Sequence, residues 1–134
     1  NDGNGRFNDI SATTGATAYA TAMGVATGDL DDDGSPEIYV ANMYSKMGRR
    51  ILAHLSESDY PPGIFDKIRG SCAGNTLYRK PIGESRYTEI SGDLGINAVG
   101  WAYAPAMTDL DGDGRLDLYA TTGHLSFDRN KPDG

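Results

Sequence analysis

The residues best placed to do chemistry lie in two short acidic loops. The first, GDLDDDGSPE, carries Asp29, Asp31, Asp32 and Asp33 before Gly34 and adds Glu37 just beyond; the second, TDLDGDGRLD, carries Asp109, Asp111, Asp113 and Asp117 around Gly114. Two like charges about 4 Å apart repel by about 1 kcal/mol in water and about 4 kcal/mol in a partly screened protein environment. Loops so crowded either stay splayed in solvent or hold a cation. Both fit the pattern D-x-D-x-D-G-x-x-[DE], and the spacing has a mechanical reason. Alternate residues of a tight loop turn their side chains inward around a hard cation, the glycine permits the bend, the seventh residue offers its carbonyl, and the ninth closes the shell. The ligand set read this way is Asp29, Asp31, Asp33, the carbonyl of Ser35, and Glu37, then Asp109, Asp111, Asp113, the carbonyl of Arg115, and Asp117. All-oxygen ligands select calcium over zinc or copper, and neither His nor Cys lies at ligand spacing nearby. Asp32 and its counterpart Gly112 fall at an even position and are expected to point away, which makes Asp32 dispensable for binding.

An EF-hand loop begins the same way but requires an acidic residue at position twelve and flanking helices. Position twelve is Val40 in the first loop and Ala120 in the second. The residues after each loop alternate as a strand does: EIYVA sets Ile38 and Val40 against Tyr39, and LDLYA sets Leu116, Leu118 and Ala120 against Asp117 and Tyr119. These loops are calcium-type but β-flanked.

The elements that position the loops are themselves repeated. At an offset of eighty residues and without a gap, NDGNGRFNDISATTGATA lies on PIGESRYTEISGDLGINA, and TGDLDDDGSPEIYV lies on MTDLDGDGRLDLYA. Two copies of one supersecondary unit are present. NTLYRK (75–80) and RYTEIS (86–91) read as a hairpin around PIGES, and RFNDIS reads as the second arm of an equivalent hairpin. The small-residue runs ATAMGVATGDL and GWAYAPAMTDL read as strands packed closely at a centre, with Trp101 in a core. Between the copies, residues 45–70 read as a surface insertion with a helix from about Lys46 to Leu55, an apolar stripe of Met47, Ile51, Leu52 and Leu55, and a YPPG breaker. Arg49 and Arg50 there are the one concentration of positive charge, either a solvated helix face or an anion or partner contact.

With its loops and their flanking strands taken together, the chain resembles the FG-GAP or VCBS-type repeats of integrin-α-like β-propellers, especially the bacterial relatives of cartilage acidic protein (ASPIC/UnbV-type). GDLDDDGSPEIYVAN and TDLDGDGRLDLYATTGH, each downstream of an RFNDIS or RYTEIS element, carry the resemblance; AYAPAM is a loose version of the family's Gly-Ala-Pro. It implies an all-β fold: a partial β-propeller of about two blades, each of four antiparallel strands, with calcium in the loop between two strands and the same ligand residues in each copy. The units are 1–44, a partial first blade; 45–70, the insertion; and 71–134, a second blade. Glu37 stands where the family usually has Asp, one methylene longer. A closed ring takes about 4–8 blades, so the chain, which opens on the strand-joining turn NDGNGRF, is expected to be a piece of a longer protein that supplies the others.

Composition bounds the function. The chain has 134 residues, one domain's worth, with a net charge of −7 that disfavours nucleic acid and anionic membranes as partners and suits cations. No apolar run approaches the roughly 20 residues that span a bilayer. Cys72, the single cysteine, reads as a small buried thiol. The expected function is a calcium-stabilised, non-enzymatic module for binding, adhesion or scaffolding at an extracellular, periplasmic or cell-surface location, with a protein or glycan ligand. Alternatives are the non-catalytic propeller part of a secreted enzyme, or a calcium-dependent carbohydrate-binding module using Tyr19, Tyr39, Tyr44, Trp101, Tyr103 or Tyr119. Catalysis has little to stand on: His54 and His124 are the two histidines, neither has a recognisable nucleophile partner, and no phosphate loop, zinc motif or G-x-S-x-G is present. His124 follows the last strand in a Gly-His pair often seen in the acidic-protein family.

Overall fold

The computed structural model describes residues 1–123. Within them the chain is β-rich, with two antiparallel sheets and a few short helices. Strands β1 (Ala22–Gly28), β2 (Glu37–Asn42), β3 (Thr76–Arg79) and β4 (Thr88–Glu89) form a four-stranded sheet in sequential order, while β5 (Ala102–Thr108) and β6 (Asp117–Thr122) form a two-stranded one. The eighty-residue offset reappears in three dimensions. β5 and β6 begin and end eighty residues after β1 and β2, and each hairpin has a register irregularity towards the end away from its loop, between Ala22 and Gly24 in one and between Tyr103 and Ala106 in the other. The 4-stranded sheet draws on both copies: β2 and β3 pair through Ile38 with Tyr78, Tyr39 with Leu77, and Val40 with Thr76, so the segment 43–75 is a long excursion between neighbouring strands.

The alternation of β2 decides which face is core. Glu37, Tyr39 and Ala41 are buried, with Ile38 and Val40 half-buried on the other face. Tyr39, Ala41, Leu77 and Ala102 make the core, joined by Leu30, Ile90, Ile96, Met107, Leu118 and Ala120. A buried polar clasp fixes β3 beside β2. Asn75 Oδ1 accepts from the Asn42 amide N–H at 2.8 Å, Asn75 Nδ2 donates to the Tyr39 hydroxyl at 2.6 Å, and Asn42 Nδ2 donates to the Gly74 carbonyl at 3.0 Å. Truncating Asn75 would strand several of these groups, at about 1–3 kcal/mol for each buried group left unpaired. The small residues of β1 let the two hairpins touch, as the sequence leads one to expect. A Cβ at Gly24 would fall 2.7 Å from Pro105 Cδ, and one at Gly28 would fall 2.8 Å from Leu116 Cδ1. Side chains there would force the sheets apart, at about 1–3 kcal/mol for overpacking.

Three expectations need correction. RFNDIS forms no strand: Phe7 and Ile10 are exposed, a single helical turn α1 (Ser11–Thr14) follows, and no described strand runs alongside to pair with it. That helical turn contacts the second copy, where the Arg86 guanidinium donates to the Thr13 carbonyl at 2.8 Å. The insertion holds two helices rather than one. α2 (Lys46–Leu52), capped by Ser45 Oγ accepting from the Gly48 N–H, stops short of Leu55; α3 (Ile64–Ser71) follows the YPPG breaker after a 3-10 turn at Glu57–Asp59. Neither helix has a buried residue, and Met47 and Ile51 of the expected stripe face solvent while Leu52 and Leu55 are half-buried. Trp101 is 40% exposed and forms an isolated β-bridge with Met43 rather than filling a core.

Candidate metal centres

Each acidic loop turns a β-hairpin, β1 to β2 and β5 to β6, and the turn is held by carboxylates accepting backbone N–H groups. In the first, Asp29 accepts from Asp33 and Gly34 at 3.1 and 2.8 Å, Asp33 Oδ1 from Ser35 at 2.8 Å, and Glu37 Oε2 from Leu30 at 2.8 Å. The second repeats all four. Asp109 accepts from Asp113 and Gly114 at 3.2 and 2.9 Å, Asp113 Oδ1 from Arg115 at 2.8 Å, and Asp117 Oδ2 from Leu110 at 2.9 Å. Glu37, despite its extra methylene, therefore reaches the same backbone group as Asp117.

Carboxylate oxygens of Asp29, Asp31 and Glu37 lie within 4.8 Å of one another, as do those of Asp109, Asp111 and Asp117. These are sets that could hold a divalent ion. Asp33 and Asp113 lie outside the two groups, each with one oxygen committed to the loop backbone. Ser35 is buried and Arg115 exposed at the carbonyl position. Asp32 is exposed at φ 56°, and Gly112 holds the same place at φ 80°. The position requires left-handed backbone, which glycine adopts freely and Asp tolerates better than most residues.

The surroundings differ. Glu37 is 2% exposed, and its Oε1 has no hydrogen-bond partner. Burial first, and then the charges of Asp31, Asp33 and Asp29, push its carboxyl above the usual range against the opposing bond from Leu30. A desolvated carboxylate with one unpartnered oxygen, grouped with two more acids, is an environment whose ionised form a cation would relieve. The β3–β4 connection covers this loop: Ile82 Cδ1 lies 3.1 Å from where a Gly34 Cβ would be, and Arg79, at the end of β3, pairs with Asp31 and comes within 3.9 Å of Asp33. Nothing in the spacing of the first loop foretells Arg79. The available signal was NTLYRK reading as a strand that ends in two cations. In the second loop Asp109 and Asp111 are exposed and Asp117 is half-buried. Arg115 extends from it without an ion pair to its carboxylates among the described residues.

Other sequence candidates are not gathered into a site. His54 is exposed just after α2, and His124 lies outside the described residues. Arg49 stands 5.9 Å over the Tyr44 ring, and Cys72 is a half-buried free thiol beside Ser71. Of the six aromatics, Tyr39 is buried with its hydroxyl engaged by Asn75, whereas Tyr19, Trp101 and Tyr119 are exposed. No described helix is long and apolar enough to cross a membrane.

Comparison with known proteins finds an FG-GAP-like repeat over residues 1–40, a span that takes in the first acidic loop and ends inside β2. No curated protein and no solved structure matches the chain. The match and the offset of eighty support each other, since the second loop repeats the first in both spacing and hydrogen bonding.

Proposed function

We propose that the chain is a calcium-stabilised segment of a β-propeller, serving outside the cytosol as a non-catalytic module for binding, adhesion or scaffolding. The observation that carries this reading is Glu37: a buried carboxylate with an unpartnered oxygen, grouped with Asp29 and Asp31 at the turn of a hairpin whose counterpart recurs eighty residues later. In this reading Asp29, Asp31, Asp33, Glu37 and the Ser35 carbonyl hold one ion, and Asp109, Asp111, Asp113, Asp117 and the Arg115 carbonyl hold a second. The ion supplies charge, offsetting the mutual repulsion of four carboxylates and fixing the turn. The chain's own residues supply the frame, through the N–H bonds that aim Asp29 and Asp109 into their loops.

The sequential sheet β1–β2–β3–β4 is then one blade, and β5–β6 the first half of the next; the repeat units 1–44 and 71–134 are offset from the blades, with 45–70 looped out between β2 and β3. The acidic loops and their upstream elements point to the relatives of cartilage acidic protein within the wider repeat family. Extracellular calcium modules bind with dissociation constants of about 10⁻⁴–10⁻³ M, which suits a compartment rich in calcium. Calorimetric titration of the metal-stripped chain tests the reading, together with its melting temperature in chelator and in millimolar calcium. Heat of binding and a raised melting temperature are expected; neither heat nor a shift would overturn it.

A further inference from the structure

The two loops share a backbone and a hydrogen-bond pattern, but one of them is supplied with a cation by a distant strand. Arg79 is separated from Asp31 by 48 positions and reaches it because β3 lies beside β2. Its Nη2 pairs with Asp31 and stands 3.9 Å from Asp33, its Nε is buried without a hydrogen-bond partner, and its side chain is 42% exposed. The position of β3 is secured independently, by its pairing with β2 and by the Asn75 clasp, so the guanidinium is delivered to the loop by the sheet.

We propose that Arg79 is a tethered competitor of the metal in the first loop: it holds Asp31 and Asp33 when no ion is bound and weakens calcium binding there relative to the second loop. This rests on the calcium reading above. The unpartnered Oε1 of Glu37, 2% exposed, shows that Arg79 does not satisfy the whole loop, so a demand for cation remains beside it. Charge alone then has two effects. Without metal, a positive group between Asp31 and Asp33 lowers their repulsion and keeps the first turn closed, a service that no side chain performs for the second loop among the described residues. With metal, the guanidinium and the divalent ion share the same carboxylates and repel each other, by up to about tenfold in affinity at water-like screening and less at physiological salt.

The test separates the sites by mutation. Asp111→Ala leaves the first site alone to be titrated with calcium, and Asp31→Ala leaves the second. Adding Arg79→Gln to Asp111→Ala should tighten calcium binding by about fivefold to tenfold, whereas adding it to Asp31→Ala should change nothing. Arg79→Lys retains the charge and should keep the weak affinity. In chelator, Arg79→Gln should speed amide hydrogen exchange in residues 29–37 and leave residues 109–117 unaffected. First-site binding that is unchanged or weakened by Arg79→Gln would overturn the proposal while leaving the calcium reading in place. Absence of calcium binding in every variant and in the parent chain would overturn that reading and this proposal with it.

Discussion

The first and second acidic loops are nearly the same object in sequence and in backbone, yet they sit in different electrostatic surroundings. Four N–H bonds recur at equivalent positions, and both loops pass through left-handed backbone at the same two places, Asp32 and Gly34 in one, Gly112 and Gly114 in the other. What differs is cover. At the first loop Ile82 of the β3–β4 connection approaches Gly34, Glu37 is buried and Arg79 at the end of β3 reaches Asp31, while Asp109 and Asp111 of the second are exposed. A repeated loop thus fixes which atoms face the centre, and the neighbouring strand decides how much charge they must bear and what answers it.

The comparison is most severely tested by removing a central carboxylate from each loop in turn. Asp111→Ala should abolish calcium protection of residues 109–117 against proteolysis. Asp31→Ala should abolish it for residues 29–37 and also release Arg79. Saturation at about 100 times the dissociation constant is worth about 2.7 kcal/mol per site, so each substitution should lower the melting temperature measured in calcium by several degrees. In chelator the second loop of the parent chain should be cut faster than the first; equal rates would show that the extra cover of the first loop has no energetic consequence.

A smaller effect is expected from Glu37→Gln, set beside Asp117→Asn. The amide keeps an acceptor for the Leu30 N–H and removes a desolvated charge, so in chelator Glu37→Gln should raise stability by about 1 kcal/mol and should shrink the calcium-induced rise in melting temperature. Asp117→Asn should lose the calcium effect without the gain in chelator. The raised carboxyl of Glu37 sets the sign with pH. The folded state takes up its proton more readily than the unfolded chain, so this residue's unfavourable contribution fades as pH falls through its folded value towards the ordinary 4.5. Melting curves of the parent and Glu37→Gln chains in chelator should therefore converge on acidification; a gap that widens would contradict the assignment.

The smallest effect belongs to Asp32. Asp32→Gly should stabilise by about 0.5 kcal/mol or less by relieving the left-handed backbone, and Asp32→Ala should leave first-site calcium binding intact. Loss of binding in Asp32→Ala would mean that this side chain is a ligand after all, and that the inward and outward positions of the loop have been exchanged.

Much of the fold was legible for local reasons. Period-two alternation around Tyr39 and Tyr119 marks strands, the D-x-D-x-D-G spacing marks the turns between them, and small residues at Gly24 and Gly28 mark a close approach. Each of these is a property of neighbours in the chain. Asp32 could have been read more fully, because a glycine at its counterpart Gly112 already signals left-handed backbone there. α3 could have been read too, because Ile64, Phe65 and Ile68 fall on one stripe at helical spacing just after the YPPG breaker. RFNDIS misled because its alternation is that of a strand, whereas a strand forms only when another lies alongside.

By itself the sequence determined the repeat and the acidic chemistry of its loops, since these depend on residue types at fixed spacings. Tertiary structure decided the inequality of the two sites. The burial of Glu37 and the reach of Arg79 to Asp31 arise from pairing β2 with β3 across residues 43–75, a contact between distant segments that no local spacing encodes.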